Sequence, residues 1–356
     1  MKIAIITDTH HGARNDSQIF SEYFRRFYDD VFFPTLEEHD IDTIIHAGDC
    51  FDRRKFINFV TLRDAKSMFF EPCHKKNYQL HMVVGNHCTA YKSTNDVNSQ
   101  TLLLEDGYDN IHVYAGPEEI EIEGTKILML PWINAENYAA TMSAIEDSTA
   151  ILAIGHLEVA GFRMYKSSLN NDGLDRDMFD KFDMVLSGHY HHKSSQGNIH
   201  YLGNPYGITW SDYNDDRGFH ILDTEDMSLE FIRNPYEIFH KVWYDDEDKD
   251  LGTVLDVDFS NFTDTYVKVI ITKKTNPFFF DRFIDELDKA DTVNIQIVDD
   301  HFNAHEESED DILENVDDTL TILTKYVDEL TIDHGKKELD KLLRTQYNES
   351  LMVQDA

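Results

Sequence analysis

The sequence predicts an α/β protein built on mostly parallel strands, followed by a smaller α+β unit and a helical tail. Three observations carry that expectation. Residues 1–235 alternate strand-like with helix-like segments. Several of the strand-like runs are apolar almost throughout rather than at every second residue, as strands covered on both faces must be. Near Tyr236 the pattern changes to two strand-like runs flanking one amphipathic helix.

The first strand is expected in KIAIIT, which meets Asp8 after too few apolar residues for a signal-peptide core or a membrane span. SQIFSEYFRRFYDDVFFPTLEE then reads as helix, with Asn15, Asp16 or Ser17 available as its N-cap. Further strands are expected in DTIIHAGD, LHMVVGNH, KILMLPW, AILAIGH and FDMVLSGH, with GFHILD returning to the sheet. These make up a domain of residues 1–235. In residues 236–300, TYVKVIIT and TVNIQIV read as strands, and PFFFDRFIDELDKA, with Pro277 near its first turn, reads as the helix between them. Residues 301–311 contain the acidic run HEESEDD and read as a solvated linker. In residues 312–356, Ile312, Val316, Leu320, Leu323, Val327 and Leu330 recur at helical spacing, and Leu339, Leu342 and Leu343 begin a second helix after Gly335. Two such helices cannot make a core alone, so they either dock on a partner or pack back on this chain.

A chain of 356 residues with 41% hydrophobic content can bury a sizeable core and divides naturally into two or three units. The formal charge of −36 argues against nucleic-acid binding through a basic surface of its own. That charge is uneven. Residues 1–100 carry 12 basic against 14 acidic side chains, leaving 20 against 54 for the remainder, so a polyanion is expected to approach the N-terminal part or be brought there by a partner. Cys50, Cys73 and Cys88 have no paired spacing, which suggests neither a disulfide framework nor a structural zinc site and makes a reducing cytoplasm the default.

The functional signal lies at the strand ends. Five of the expected strands close on Asp8 and His10, on Asp49 and Asp52, on Asn86 and His87, on His156, and on His189 and His191. In open α/β sheets, ligands bind at the carboxyl ends of the strands. Carboxylates mixed with imidazoles suit manganese, iron or zinc, and the inventory is large enough for two ions sharing a carboxylate. Two ions a few ångströms apart are what in-line phosphoryl transfer requires, one pair of charges to activate water and to neutralise the phosphate and leaving oxygen. Each piece alone is weak, because a strand-end histidine is ordinarily a hydrogen-bonding residue; five in order, each closing a strand, are specific.

The series DxH, GDxxD, GNH, GHxE and GHxH, at Asp8–His10, Gly48–Asp52, Gly85–His87, Gly155–Glu158 and Gly188–His191, resembles the calcineurin-like metallophosphoesterases. More narrowly, DTHHG, AGDCFDRR, GHLEVAGF, SGHYHH and YLGNPYGITW followed by RGFHILD resemble the SbcD-type nuclease subunits of double-strand-break repair, most of all their T-even bacteriophage form. The resemblance implies a core of two layered sheets with helices outside, a small DNA-capping domain, and a tail that docks on an SbcC-type SMC-like ATPase. By matched position it implies that Asp8, His10 and His191 hold one metal, that Asn86, His156 and His189 hold the other, and that Asp49 bridges them. His87 would give a proton to the departing ribose oxygen, steadied by the Asp52 carboxylate. It further implies two Mn ions, with Mg less active, a homodimer, and cleavage of duplex ends and single strands of DNA.

Cys88 departs from the pattern, since the family usually has an acidic residue there. Either a small residue is accepted in a buried corner, or the thiol weakens support for His87 or exposes the site to oxidation. An acidic residue restored at that position is expected, on the second reading, to raise activity. Arg53 and Arg54 are placed to meet backbone phosphates or to lie solvated at the surface. His11, His46, His81 and His192 fall outside the matched positions and read as structural or surface histidines. Two other functions compete: a stand-alone phosphatase or cyclic-nucleotide phosphodiesterase on the same scaffold, for which the tail has no purpose, and an adaptor whose site has decayed.

Overall fold

The structure, a computed structural model, describes residues 1–165, 168–170 and 173–299. The strands of the larger part are β1 (Lys2–Ile6), β2 (Thr43–His46), β3 (Gln79–Val83), β4 (Ile111–Tyr114), β5 (Glu118–Ile122), β6 (Thr125–Leu130), β7 (Leu152–Gly155), β8 (Arg163–Tyr165), β9 (Ser168–Leu169), β10 (Met184–Ser187), β11 (Ser194–Gln196), β12 (Ile199–Tyr201), β13 (Gly218–Asp223) and β14 (Ser228–Arg233). All seven expected strands are there, as β1, β2, β3, β6, β7, β10 and β13. Those the apolar-run criterion misses sit mostly at sheet edges, where one face meets water: β5 reads EEIEI and β14 reads SLEFIR.

Two six-stranded sheets result, in the orders β14-β13-β1-β2-β3-β4 and β11-β12-β10-β7-β6-β5. Within them β1 to β4 run parallel to one another, as do β6, β7, β10 and β12, while β13, β14, β5 and β11 join as antiparallel strands. Alternation along each strand explains why its whole length is apolar. Ile3 and Ile5 face Ile127, Ile154 and Leu186 in the core between the sheets, whereas Ala4 and Ile6 face Phe24, Phe27 and Phe69 on the outer side. On the second sheet Ile127 and Met129 point inward, and Leu128 and Leu130 join Ile145 and Phe179 outside. A period-two split of one apolar run between two cores is what layering demands.

The long helical stretch is helical as expected, but in three pieces: Gln18–Phe27, a π-turn at Tyr28–Phe32, and Phe33–Glu38. Pro34 lacks the N–H for the usual bond and its ring crowds the carbonyl four residues back, so the chain widens just before it. The same device recurs at Lys66–Phe70, before Pro72. Of the three N-cap candidates the position falls to Ser17, without a side-chain bond. Asp16 instead accepts from the Thr61 hydroxyl at 2.8 Å and pairs with Arg53 at 3.1 Å.

A separate parallel sheet follows, made of β15 (Phe239–Asp245), β16 (Tyr266–Lys273) and β17 (Asn294–Asp299). The helix Pro277–Lys289, capped by Asn276, lays Phe280, Phe283 and Leu287 against Tyr244, Val267 and Val269. The linker and tail expected at residues 301–311 and 312–356 lie outside the described residues.

Candidate metal centre and active site

Strand order brings the five motifs together. β1, β2 and β3 are consecutive neighbours and parallel, so the loops carrying Asp8, Asp49 and Asn86 leave the first sheet side by side. β7 and β10 are likewise neighbours, which sets His156 beside the loop of His189 and His191. The first two loops zip together beyond their strands: the N–H groups of Asp8, His10 and His11 donate to the carbonyls of Gly48, Asp49 and Cys50 at 3.0, 3.1 and 2.8 Å. The loop after β10 closes on them, with His189 N–H donating to the Asp8 carboxylate at 3.1 Å.

The backbone at this rim is bent into the left-handed region at Asp8 (φ 50°), His10 (φ 41°), Asp49 (φ 51°) and His189 (φ 84°). Such conformations cost roughly 1–3 kcal/mol for a residue with a side chain and persist where the surroundings dictate them. Gly48 adopts φ 104°, with His156 Nδ1 only 2.3 Å from where a Cβ would stand.

The donor atoms converge as they would around cations. Asp8, His10 and His191 place ligand atoms within 4.8 Å of one another, and so do Asp8, Asp49 and His156. His156 Nδ1 donates to the Ala47 carbonyl at 3.0 Å, which leaves Nε2 as the lone-pair nitrogen of the neutral ring. Yet Nε2 faces two oxygens, Asn86 Oδ1 at 2.8 Å and Asp49 Oδ2 at 3.1 Å. Lone pair against lone pair is repulsive unless a proton or a metal ion lies between. His10 Nε2 and His191 Nε2 meet at 3.1 Å, and His189 Nδ1 lies 3.1 Å from the same Asn86 oxygen. The residues therefore fit a divalent-metal centre on chemistry alone.

Protonation follows the same crowding. Burial raises the Asp8 carboxyl above its ordinary value against the pull of His156. Burial acts likewise on Asp49, but the imidazoles of His156, His87 and His10 hold it well below the carboxylate range. For His156 burial disfavours the charged ring, and the Asp49 and Asp8 carboxylates overcome it and raise its pKa. His191 is held well below its usual value by burial and by His10 and Arg217 beside it, so its ring is neutral, the form that ligates metal.

His87 stands at the mouth. Its main-chain N–H donates to Asp49 Oδ1 at 2.8 Å, and its Nδ1 lies 2.6 Å from the main-chain carbonyl of Asp52. A carbonyl only accepts, so Nδ1 carries a proton and Nε2 is the nitrogen that can exchange one. The Asp52 carboxylate has an oxygen within 4.8 Å of ring nitrogens of both His87 and His10, at 3.4 Å from His10 Nδ1. Asp52 thus meets His87 through its backbone carbonyl, a contact the motif does not reveal.

Arg53 and Arg54 turn inward rather than outward. Arg53 pairs with Asp16, bonds Asn15 and lies over Phe56. Arg54 Nε donates to the carbonyl of Asn86 at 2.6 Å, a support for that loop which only contact in space discloses. His46 is structural and braces two of the loops. Gly48 N–H donates to its Nδ1 at 3.3 Å, its Nε2 meets Thr9 Oγ1 at 2.9 Å, and burial lowers its pKa to about 3. His11 is buried and stacked on Tyr28, and His192 pairs with Asp215 at 2.5 Å. Cys88 is buried among apolar side chains, its thiol pushed up to about 12 by burial and by Asp49.

Residues 1–193 match the family model described as calcineurin-like phosphoesterase. Over 330 residues the chain is 31% identical to exonuclease subunit 1 of Enterobacteria phage T4, covering 92% of each protein. It is also 25% identical over 265 residues to the SbcD component of the SbcCD nuclease of Staphylococcus epidermidis, covering 64% of this chain and 67% of that one.

Proposed function

Because the chain belongs to the calcineurin-like phosphoesterases, as a metal-dependent phosphodiesterase, we propose that it is the nuclease subunit of an SbcC/SbcD-type recombination and repair complex, cutting DNA at duplex ends and within single strands. The observation that carries the chemistry is the convergence of buried carboxylate, amide and imidazole donor atoms at the rim, His156 Nε2 against Asn86 and Asp49 above all. The likeness to a phage exonuclease subunit across 92% of both chains supports DNA as the substrate.

In this reading Asp8, His10 and His191 hold one ion, Asn86, His156 and His189 hold the other, and Asp49 is shared. Manganese is the working metal, with magnesium less active. The ions, when bound, supply an activated water and neutralise the phosphate charge. The protein's own contribution is to hold these donors rigid and to keep His191 neutral. His87 gives the proton on Nε2 to the departing ribose oxygen, while the Asp52 carbonyl keeps Nδ1–H fixed and so orients the ring.

Residues 236–300 cap the DNA, and 312–356, joined through 301–311, dock on the SMC-like ATPase, whose basic surface answers the net charge of −36. The chain works as a homodimer in the cytoplasm; Phe56 and Phe59, both exposed at and just before the start of the helix Phe59–Ala65, offer apolar surface for pairing. No helix among the described residues is long and apolar enough to cross a membrane.

The test is cleavage of a linear duplex and of a single-stranded circle with Mn against Mg, for this protein and for His87→Ser and Asp49→Asn. Mn-dependent cleavage that falls at least about 100-fold in His87→Ser with Mn uptake unchanged is the expected result. Hydrolysis of small phosphoesters with no DNA cleavage in the presence of the ATPase would overturn the assignment in favour of a stand-alone phosphatase.

A further inference from the structure

Two side chains that never reach the site grip the backbone beneath one metal position. The segment GNPYG, residues 203–207, lies after β12 and outside every ligand motif. From it Tyr206 sends its hydroxyl to the carbonyl of Thr9 at 2.7 Å. Thr9 is the residue between Asp8 and His10. Arg217, just before β13, donates through Nη1 to the carbonyl of His191 itself and to Asn204 Oδ1 of the same segment. Its Nη2 is held by Asp212 and Asp215, each at 2.8 Å, so the guanidinium is fixed from behind. Asn204 N–H donates to the His191 carbonyl as well, at 3.3 Å.

Both carbonyls belong to the loops that carry Asp8, His10 and His191, and the one gripped most closely is that of His191 itself, two residues beyond His189 of the other position. Tyr206 is fully buried, its ring stacked on Phe24 at 3.7 Å, and Arg217 is 5% exposed. Neither side chain can swing away. A carbonyl clamped in this way fixes the φ and ψ of the residue carrying a ligand, and thereby where its ring or carboxylate points; partners of this kind commonly set metal affinity by a factor of about 10 to 100. The left-handed φ at Asp8 and His10 sharpens the need, since a strained conformation relaxes unless something holds it.

We propose that Tyr206 and Arg217 are positioning residues for the Asp8, His10 and His191 metal position, setting its affinity through the main-chain carbonyls of Thr9 and His191. This rests on the two-metal reading above.

The experiment is calorimetric titration of the metal-free, full-length protein with Mn, for wild type, Tyr206→Phe and Arg217→Lys, together with thermal unfolding of each metal-free form. Tyr206→Phe keeps the stacked ring and removes only the hydroxyl, so it decides the matter if Arg217→Lys fails to fold. Tyr244→Phe, which removes a buried hydroxyl bonded to Asp246 in the small sheet, is the control. One Mn bound as in wild type and the other weakened about 10-fold or more, with Tyr244→Phe unaltered, is the expected result. Two ions at wild-type affinity in both variants would overturn the clamp, as would an equal weakening of both ions, which marks a general structural role. A wild-type chain that takes up only one ion would instead overturn the two-metal reading, and the clamp would then stand or fall on whether Tyr206→Phe weakens that ion.

Discussion

Gly85 has no room for a side chain: a Cβ there would stand 2.1 Å from Asp49 Oδ1 and 2.3 Å from the Asp49 nitrogen. Its role is close approach, not the sharp turn its place before Asn86 suggests, and Gly85→Ala is expected to push Asp49 out of line and weaken Mn binding by at least about 10-fold, read by titration of the metal-free protein. Cys88 is the residue for which the sequence leaves two readings open, and its burial matches the first, a small residue in a buried corner. The motif invites an acidic replacement and a gain in activity, but the position is fully buried in an apolar cluster, with the Asp49 charge nearby. Cys88→Asp is therefore expected to cost about 1–3 kcal/mol or more, seen as a lower urea midpoint, with no gain in cleavage rate. Raised activity at undiminished stability would show that the corner admits an ionised carboxylate. Asp8, His10, Asp49, Asn86, His156, His189 and His191 stand out in the sequence because each follows an expected strand, and the structure gathers their side chains. The bond from Arg54 to the Asn86 carbonyl, 32 residues away, leaves no such mark.

At the scale of elements, the helix Gln18–Phe27 links the fold to the site. Phe24 stacks on Tyr206, and Phe20 packs on Phe239 and Tyr266 of the small sheet. Truncation at Phe24 empties a buried site beneath Tyr206, so Phe24→Ala is expected to lower stability by about 3–5 kcal/mol and to loosen one Mn as well. A melting temperature that falls while Mn affinity stays intact would separate packing from positioning. The helix itself is legible as an apolar stripe, but its π-turn is not, because Pro34 can kink, end or widen a helix and only the surrounding core selects among them. The first strand of the small sheet, β15, also escapes notice. FHKVWYD neither alternates cleanly nor runs apolar, since one of its ends packs on the larger domain while Trp243 is exposed to solvent.

For the whole molecule, buried neutral histidines and net charge set the response to solution conditions. Burial lowers His46 and His220 from the ordinary 6.5 to about 3. Below pH 6.5 the unfolded chain takes up protons that the folded one refuses, so stability is full above that pH and is lost as pH falls toward 3. Each such histidine contributes about 1.4 kcal/mol of loss per pH unit in that window. Urea unfolding of the metal-free protein at three pH values spanning about 7.5 to 5.5 should show the decline, and His220→Leu, which removes a buried ring whose Nδ1 has no partner, should flatten it. Deletion of residues 306–356 is expected to abolish association with the ATPase while cleavage of single strands survives; loss of both would mean the tail supports the nuclease fold itself.

By itself the sequence determined the seven apolar strands of the two sheets and what chemistry their ends carry, because an apolar run buried on both faces and a polar cluster closing it are local patterns. It also determined the family, since five motifs in fixed order leave little room for coincidence. Only the tertiary structure decided that Asp52 meets His87 through its carbonyl, that Cys88 sits in a dry corner, and that Tyr206 and Arg217 grip the carbonyls of Thr9 and His191. Those contacts join residues far apart in the chain. They arise when two sheets stack, and nothing in the local spacing of residues records which side chains that stacking brings into reach.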